Sequence, residues 1–204
     1  PINLYGATKL CSDKLFVAAN KYKGSRDLTF SVVRYGNVMG SRGSVIPLFI
    51  RKAREENSLP ITDSRMTRFN ISLDQGVDMV LWALLNAKCG EIFVPKIPSF
   101  HITELAKSIG PTCDIINIGI RPGEKIHEEM ISDSESIYTV DLGKYYAILP
   151  TSGKYTVDEY CEKFYGETVK EGFTYNSGKN DKFLSSEELT KLIIANIDEN
   201  FQPI

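Results

Sequence analysis

The sequence is poor in the residues that build metal centres and disulfide frameworks. It has two histidines, His101 and His127, and four cysteines at 11, 89, 113 and 161, with no Cys-x-x-Cys among them. Such spacing suggests neither a zinc site nor a set of covalent staples, and a reducing cytoplasm is the expected compartment. Strong charge of one sign is missing too. With a formal net charge of -2, there is no face-wide excess of lysine and arginine to neutralise a phosphate backbone, which argues against nucleic acid as a partner. Nor is there an apolar run long enough to span a bilayer, so no membrane association is expected. What is present, 42% hydrophobic and 25% charged residues over 204 positions, is enough to bury a globular core.

The first distinctive pattern is Tyr5-Gly-Ala-Thr-Lys9. On a helix, positions i and i+4 share a face, so the Lys9 ammonium can lie beside the Tyr5 phenol. A free tyrosine, with a pKa of about 10, is a poor base at neutral pH, and an adjacent cation favours its ionised form. That pair suits removal of a proton from an alcohol while hydride leaves the carbon. In isolation the same spacing also describes a lysine snorkelling over an aromatic ring. The residues that follow add weight: Thr29-Phe30-Ser31-Val32-Val33 is β-branched and aromatic, and it runs into a loop with glycines at 36, 40 and 43. Helix, buried strand and glycine loop make an α/β unit, whose strand ends bind ligands.

Further along, the pattern predicts a helix from about Leu4 to Lys23 closed by Gly24, and a strand over Thr29–Tyr35. A helix is expected over Val45–Glu56, with short extended pieces at Leu59–Thr62 and Phe69–Ile71. Ser72 and Gln75 form a capping box for a helix to about Asn86, expected to bury Val77, Val80, Leu81, Leu84 and Leu85. Glu91–Val94 and Ile115–Ile118 read as strands, and Thr103 as the cap of a helix over Glu104–Ile109. Leu184–Leu189 combines a capping box with a hydrophobic staple at the start of a last helix, to about Asp198. Between Ser132 and Leu184 the chain is polar, irregular and tyrosine-rich, and no element is assigned there.

Several blocks together carry a resemblance. They are Tyr5–Lys9, Val33–Val38, Gly40–Pro47, Met66-Thr67-Arg68-Phe69, Glu91–Lys96 and Ile120-Arg121-Pro122-Gly123-Glu124-Lys125. In that order they resemble the extended short-chain dehydrogenase/reductase superfamily, and within it the inverting UDP-N-acetylglucosamine 4,6-dehydratases of the pseudaminic acid pathway. The likeness runs from Pro1 to about Met130. It implies an α/β fold: the C-terminal part of a Rossmann-like doubly wound parallel sheet, plus a smaller mixed α/β substrate-binding domain. Residues 1–44 would be the remainder of the dinucleotide-binding domain, with some later strands returning to it. Residues 45–204 would be mainly substrate domain and C-terminal extension. The Gly-x-x-Gly-x-x-Gly loop that holds a dinucleotide pyrophosphate in such enzymes has no counterpart here, and the first residue is proline. The chain is therefore expected to be the C-terminal part of a longer protein, homo-oligomeric when full length. The family's Thr-Asp-Lys acid–base segment would precede Pro1, so the chain by itself is expected to be inactive.

The resemblance also implies roles. Tyr5 and Lys9 would be catalytic and, with Tyr35 and Val38, would contact NADP. A nucleotide sugar carries two phosphates, for which the planar, always protonated arginine is well suited. Arg68 and Arg121 stand in the blocks that resemble diphosphate-contacting segments, and Arg42 in the glycine loop is a third candidate. Asn37 offers an amide to a sugar or phosphate oxygen, Glu124 an acceptor for ribose hydroxyls. Ser44, Val45 and Thr62 would neighbour uracil. The implied reaction on UDP-N-acetylglucosamine is oxidation at C4, loss of water across C5 and C6, return of hydride to C6 and protonation that inverts C5. It gives a UDP-4-keto-6-deoxy-L-hexosamine for flagellin or surface-glycan modification. After Met66–Phe69 members of the family it resembles usually carry an aromatic residue, whereas Asn70 stands here, a departure that bears on the substrate's fine identity more than on the reaction class. A nucleotide-sugar 4-epimerase, a membrane-linked capsule enzyme of the same superfamily and a non-catalytic nucleotide-sugar binding module are the alternatives.

Overall fold

The computed structural model describes residues 1–151 and 153–204. In chain order the first elements are α1 (Leu4–Ala19), β1 (Val32–Val33), β2 (Asn37–Val38), α2 (Val45–Glu56), β3 (Ser58–Ile61), β4 (Thr67–Ile71) and α3 (Leu73–Asn86). Next come β5 (Ile92–Pro95), β6 (Ser99–His101), α4 (Ile102–Ile109), β7 (Asp114–Asn117), β8 (Glu129–Ile131), α5 (Asp133–Ser136), β9 (Thr139–Asp141) and β10 (Tyr145–Ile148). The last are α6 (Val157–Phe164), β11 (Glu167–Thr168), β12 (Tyr175–Asn176) and α7 (Ser186–Asn196). They divide between two units, and the chain passes repeatedly from one to the other. Unit 1 holds Pro1–Tyr35, Val77–Lys96 and Glu129–Tyr175; unit 2 holds Gly36–Gly76, Ile97–Glu128 and Asn176–Ile204.

Unit 1 is built on a sheet of order β1-β5-β10-β9-β11, parallel between β1 and β5 and antiparallel elsewhere. Its core joins Met79 and Ala83 of α3 to Phe93, Val140, Tyr145, Ala147 and Tyr160. Beneath β5 the fully buried Glu91 carboxylate accepts from the backbone N–H groups of Lys88, Cys89 and Gly90 and from the Tyr160 hydroxyl. A buried acid so satisfied fixes the turn entering the strand. Burial, reinforced by that carboxylate, pushes the Cys89 thiol up to about 12 and the Tyr160 phenol above its usual range, so both stay neutral.

α1 starts where Asn3 accepts the Gly6 N–H at 2.8 Å. It ends at Ala19, short of Lys23, because Asn20 turns to the returning chain: its amide nitrogen donates to the Phe30 carbonyl (2.8 Å) and its oxygen accepts from the Phe30 N–H (3.0 Å). The strand expected over Thr29–Tyr35 is confined to Val32 and Val33, since its ladder to β5 covers only those two. Arg34, just beyond it, bonds Asp13 of α1 at 2.9 Å, the Met130 carbonyl at 2.7 Å and Glu135 of α5 at 3.1 Å. This knot ties the helix bearing Tyr5 to its sheet. Burial alone would raise the Glu135 carboxyl, but the guanidinium and Ser132 outweigh it and hold the group below the ordinary carboxylate range.

The structure corrects the expected inner face of α3. Ser72 and Gln75 do exchange their two bonds, at 3.0 and 3.2 Å, but Val77, Val80, Leu81, Leu84 and Leu85 are exposed, and Met79, Trp82 and Ala83 meet the sheet instead. Trp82 packs edge-on against Phe93 at 5.0 Å and lies 4.4 Å from Tyr145. The helix is apolar on two sides, and periodicity alone cannot choose between them.

Unit 2 contains the three-stranded sheet β2-β4-β6 and the parallel pair β3-β7. Phe49 of α2, Leu59, Ile61, Leu105 and Ile109 of α4, and Leu189 and Ile193 of α7 form its core. α7 opens as expected, with Ser185 and Glu188 bonded reciprocally and Leu184 and Leu189 both buried. α4 begins at Ile102, earlier than a Thr103 cap would allow, because the Ile102 N–H goes to the Met66 carbonyl (2.9 Å) and its side chain is buried.

Candidate functional site

A cavity of about 270 Å³ opens within unit 2, between the glycine loop, β4 and the segment 118–124. Two glycines permit that shape. A Cβ at Gly36 would stand 2.6 Å from the Phe69 Cβ, and Gly40 has a φ of +72 with Ile197 only 2.8 Å from where its Cβ would be. Only glycine lets β2 and the turn after it close upon β4 and α7.

The loop ends at α2, whose N-cap Ser44 shows a telling defect: its Oγ is buried with no hydrogen-bond partner among the described residues. An N-cap hydroxyl accepts from the N–H of the second or third helical residue, and the third is Pro47, which has none. Ser44 and Val45 both line the cavity. Thr62 lines it too, its hydroxyl donating to the Met66 sulfur at 2.9 Å.

From β4, Arg68 reaches the wall. Its guanidinium donates to the carbonyls of Thr67 (2.7 Å), Ile126 (3.0 Å) and Lys125 (2.9 Å) and lies 3.6 Å from Glu128. Arg68 is thus both a fixed cation at the cavity and a clamp on the segment that carries Arg121 and Glu124. Within that segment Glu124 accepts the Arg121 backbone N–H at 3.1 Å and returns its own to the Arg121 carbonyl at 3.0 Å. The acid shapes a turn, and Arg121 projects from it into the lining. On the other face of β4, Thr67 Oγ1 lies 2.8 Å from His127 Nδ1 and 2.7 Å from Ser177 Oγ, which accepts the Glu128 N–H at 2.8 Å. Partial burial, with Arg68, His101 and Arg65 nearby, holds the His127 imidazole below its usual range, which suits a ring that accepts the Thr67 proton. Nothing in the spacing of these residues announced this second clamp.

Of the residues expected at a site, Asn37, Val38, Ser44, Val45, Thr62, Arg68, Arg121 and Glu124 line this one cavity. Arg42 is exposed on the turn between Gly40 and Ser44 and is not among the lining residues. Tyr5 and Lys9 belong to unit 1, as does Tyr35, which is exposed. On α1 the expected shared face is found: the Lys9 ammonium stands 5.4 Å from the centre of the Tyr5 ring, and Tyr5 is 72% exposed. An ammonium at that range and a phenol open to solvent can act on a hydroxyl together. No cluster of histidine, cysteine and acidic residues able to hold a metal occurs among the described residues, nor any helix long and apolar enough to cross a membrane.

Comparison with known proteins gives this geometry a context. Over 200 residues the chain is 50% identical to a UDP-N-acetylglucosamine 4,6-dehydratase (inverting) of Campylobacter jejuni subsp. jejuni serotype O:23/36 (strain 81-176), covering 95% of this chain and 59% of the relative. It is 40% identical over 205 residues to a UDP-glucose 4-epimerase of Rickettsia felis, covering 97% of this chain and 58% of that one. The solved structure of Pen from Bacillus thuringiensis superposes with a TM-score of 0.81 at 36% identity, over 96% of this chain and 59% of that one. The chain thus spans a little under three-fifths of these relatives' lengths, and it shares the α/β fold expected from its sequence. Residues 1–150 match the model of one family, and the chain belongs to it: the polysaccharide biosynthesis proteins.

Proposed function

We propose that the whole protein removes water from UDP-N-acetylglucosamine and inverts C5, and that this chain supplies its nucleotide-sugar pocket and its tyrosine–lysine pair. The observation that carries the reading is the cavity of unit 2, where two arginines, Glu124, Thr62, Ser44 and two asparagines line a largely apolar wall. Arg68 and Arg121 would balance the diphosphate, Ser44, Val45 and Thr62 would neighbour the base, Asn37 would meet a sugar or phosphate oxygen and Glu124 the ribose. Tyr5 would take the C4 hydroxyl proton, with Lys9 stabilising the phenolate. The surface-exposed phenol and ammonium of one helix face also suit the hydroxyls of a nicotinamide ribose, with Tyr35 and Val38 as further neighbours of NADP. That cofactor, when bound, would supply the acceptor and donor of hydride.

Two measurements test the reading. Calorimetric titration of the chain with UDP should give saturable binding that Arg121→Ala weakens about tenfold, corresponding to roughly 1.4 kcal/mol; no heat of binding would remove the pocket from the proposal. For the whole protein, mass spectrometry after incubation with UDP-N-acetylglucosamine should find loss of one water, abolished by Tyr5→Phe. An unchanged mass with altered C4 stereochemistry would instead make it a 4-epimerase, the activity named for the Rickettsia relative.

A further inference from the structure

Two arginines line the cavity, and the fold uses them differently. The side chain of Arg68 is 18% exposed, and its terminal N–H groups are all directed at protein acceptors. One terminal nitrogen donates to the carbonyls of Thr67 (2.7 Å) and Ile126 (3.0 Å); the other donates to the Lys125 carbonyl (2.9 Å) and points at the Met66 sulfur (3.7 Å). A guanidinium has four terminal hydrogens, so that set leaves none over. The remaining nitrogen, Nε, faces the Glu128 carboxylate at 3.6 Å, which balances part of the charge within the protein. A phosphate could gain a hydrogen bond from Arg68 only by displacing one of those carbonyls, each of which would lose a charge-assisted bond of its own.

Arg121 is the opposite case. Its hydrogen bonds in the turn are those of its backbone: the N–H donates to Glu124 at 3.1 Å and the carbonyl accepts the Glu124 N–H at 3.0 Å. Its guanidinium makes no hydrogen bond to a described residue, and the exposed side chain brings a planar fork of donors to the cavity. What Arg68 grips is the stretch that leads out of this turn. Each of residues 125–128 is fastened. Lys125 and Ile126 are bonded to Arg68 through their carbonyls, and Ile126 again by the Thr67 N–H at 3.0 Å. His127 meets the Thr67 hydroxyl at 2.8 Å, and the Glu128 N–H donates to Ser177 Oγ at 2.8 Å. Arg68 thus ties the stretch from the cavity side of β4, while Thr67 and Ser177 tie it from the other. A continuous path of short bonds runs from the Arg68 guanidinium to the turn that presents Arg121.

We propose that Arg68 is a positioning residue of this pocket: it holds the 121–128 segment so that Arg121 makes the hydrogen bonds to the phosphates. Arg68 stands behind the contact as a fixed charge and a brace, and Arg121 is the residue that touches. The assignment rests on the nucleotide-sugar reading of the cavity and deepens it, dividing between two arginines a role that charge alone would give to both.

The test is calorimetric titration of the full chain with UDP, with the melting temperature of each variant reporting its fold. Arg68→Lys keeps the positive charge, and lysine serves a phosphate well as a point charge, but it cannot span three carbonyls. It is expected to weaken UDP binding about tenfold, as Arg121→Ala does. In the Arg121→Ala background the same change should add no more than about twofold, because it disturbs the reach of a side chain already removed. Native-like UDP affinity in a folded Arg68→Lys overturns the assignment, whether or not the melting temperature falls. Losses that multiply in the double variant overturn it too, since they would put both guanidinium groups on the phosphates. So does an Arg121→Ala that binds UDP like the native chain. Should Arg68→Lys not fold, Ser177→Ala loosens the same segment from the other face of β4 and should cost about threefold in UDP affinity, again only while Arg121 is present; unchanged affinity there is equally fatal. Absence of UDP binding by the native chain would instead overturn the pocket reading on which this one stands.

Discussion

The two units treat their helices differently. In unit 2, α2, α4 and α7 all turn apolar faces into one shared core, and the cavity is walled by that same core. In unit 1, α1 buries no residue fully, and α3 buries one stripe while keeping a second in water, with Leu84 at 75% exposure. The cavity is thus finished within its own unit, whereas the helix bearing Tyr5 and Lys9 is held chiefly by polar ties, Asn20 to Phe30 and Arg34 to Asp13. Dense packing surrounds the proposed pocket, and lighter attachment holds the proposed tyrosine–lysine pair.

The largest effect that would sharpen this contrast is in unit 2. Phe49→Ala should cost about 3–5 kcal/mol, as large-to-small changes of buried aromatics do, and denaturation followed by hydrogen exchange should locate the loss in α2, α4 and α7. Next comes the polar knot of unit 1. Removing one partner of a buried pair costs roughly 3–5 kcal/mol, but these side chains keep 16–20% exposure, so Arg34→Ala should cost about 2–3 kcal/mol, read as faster exchange along α1. Because the folded Glu135 carboxyl is held below its unfolded value, its contribution is complete above the ordinary carboxylate range and is lost as pH falls through the lowered value. An acid titration of stability should therefore flatten in Arg34→Ala. The smallest effect belongs to the outer stripe of α3: Leu84→Ser should change stability by no more than about 0.5 kcal/mol, and a larger loss would mean that this face is packed after all.

Much of this was legible from local rules. The capping boxes at Ser72 and Ser185 started their helices on time, and the Tyr5–Lys9 spacing placed both side chains on one face. The lining residues expected from motif blocks meet in one cavity because those blocks are the glycine loop, β4 and the 118–124 turn. Two more capping boxes were present but unread, Ser132 with Glu135 and Thr156 with Glu159; they begin α5 and α6 in the stretch left without elements. What local rules could not supply was tertiary. The sheet of unit 1 decides which apolar side of α3 turns inward, and Asn20 reaches across to Phe30 to cut α1 short. The Thr67–His127–Ser177 contact joins residues up to 110 positions apart, beyond any pattern of spacing.

Pro47 sits three residues into α2 and touches the argument only through what it cannot do. Because its ring withholds a donor, the third helical residue has no N–H to offer the Ser44 cap. An amino acid there with a free amide would let Ser44 fasten the helix end, worth about 1 kcal/mol to the fold. A single imino acid thereby leaves the first turn of the helix one bond short of its full set.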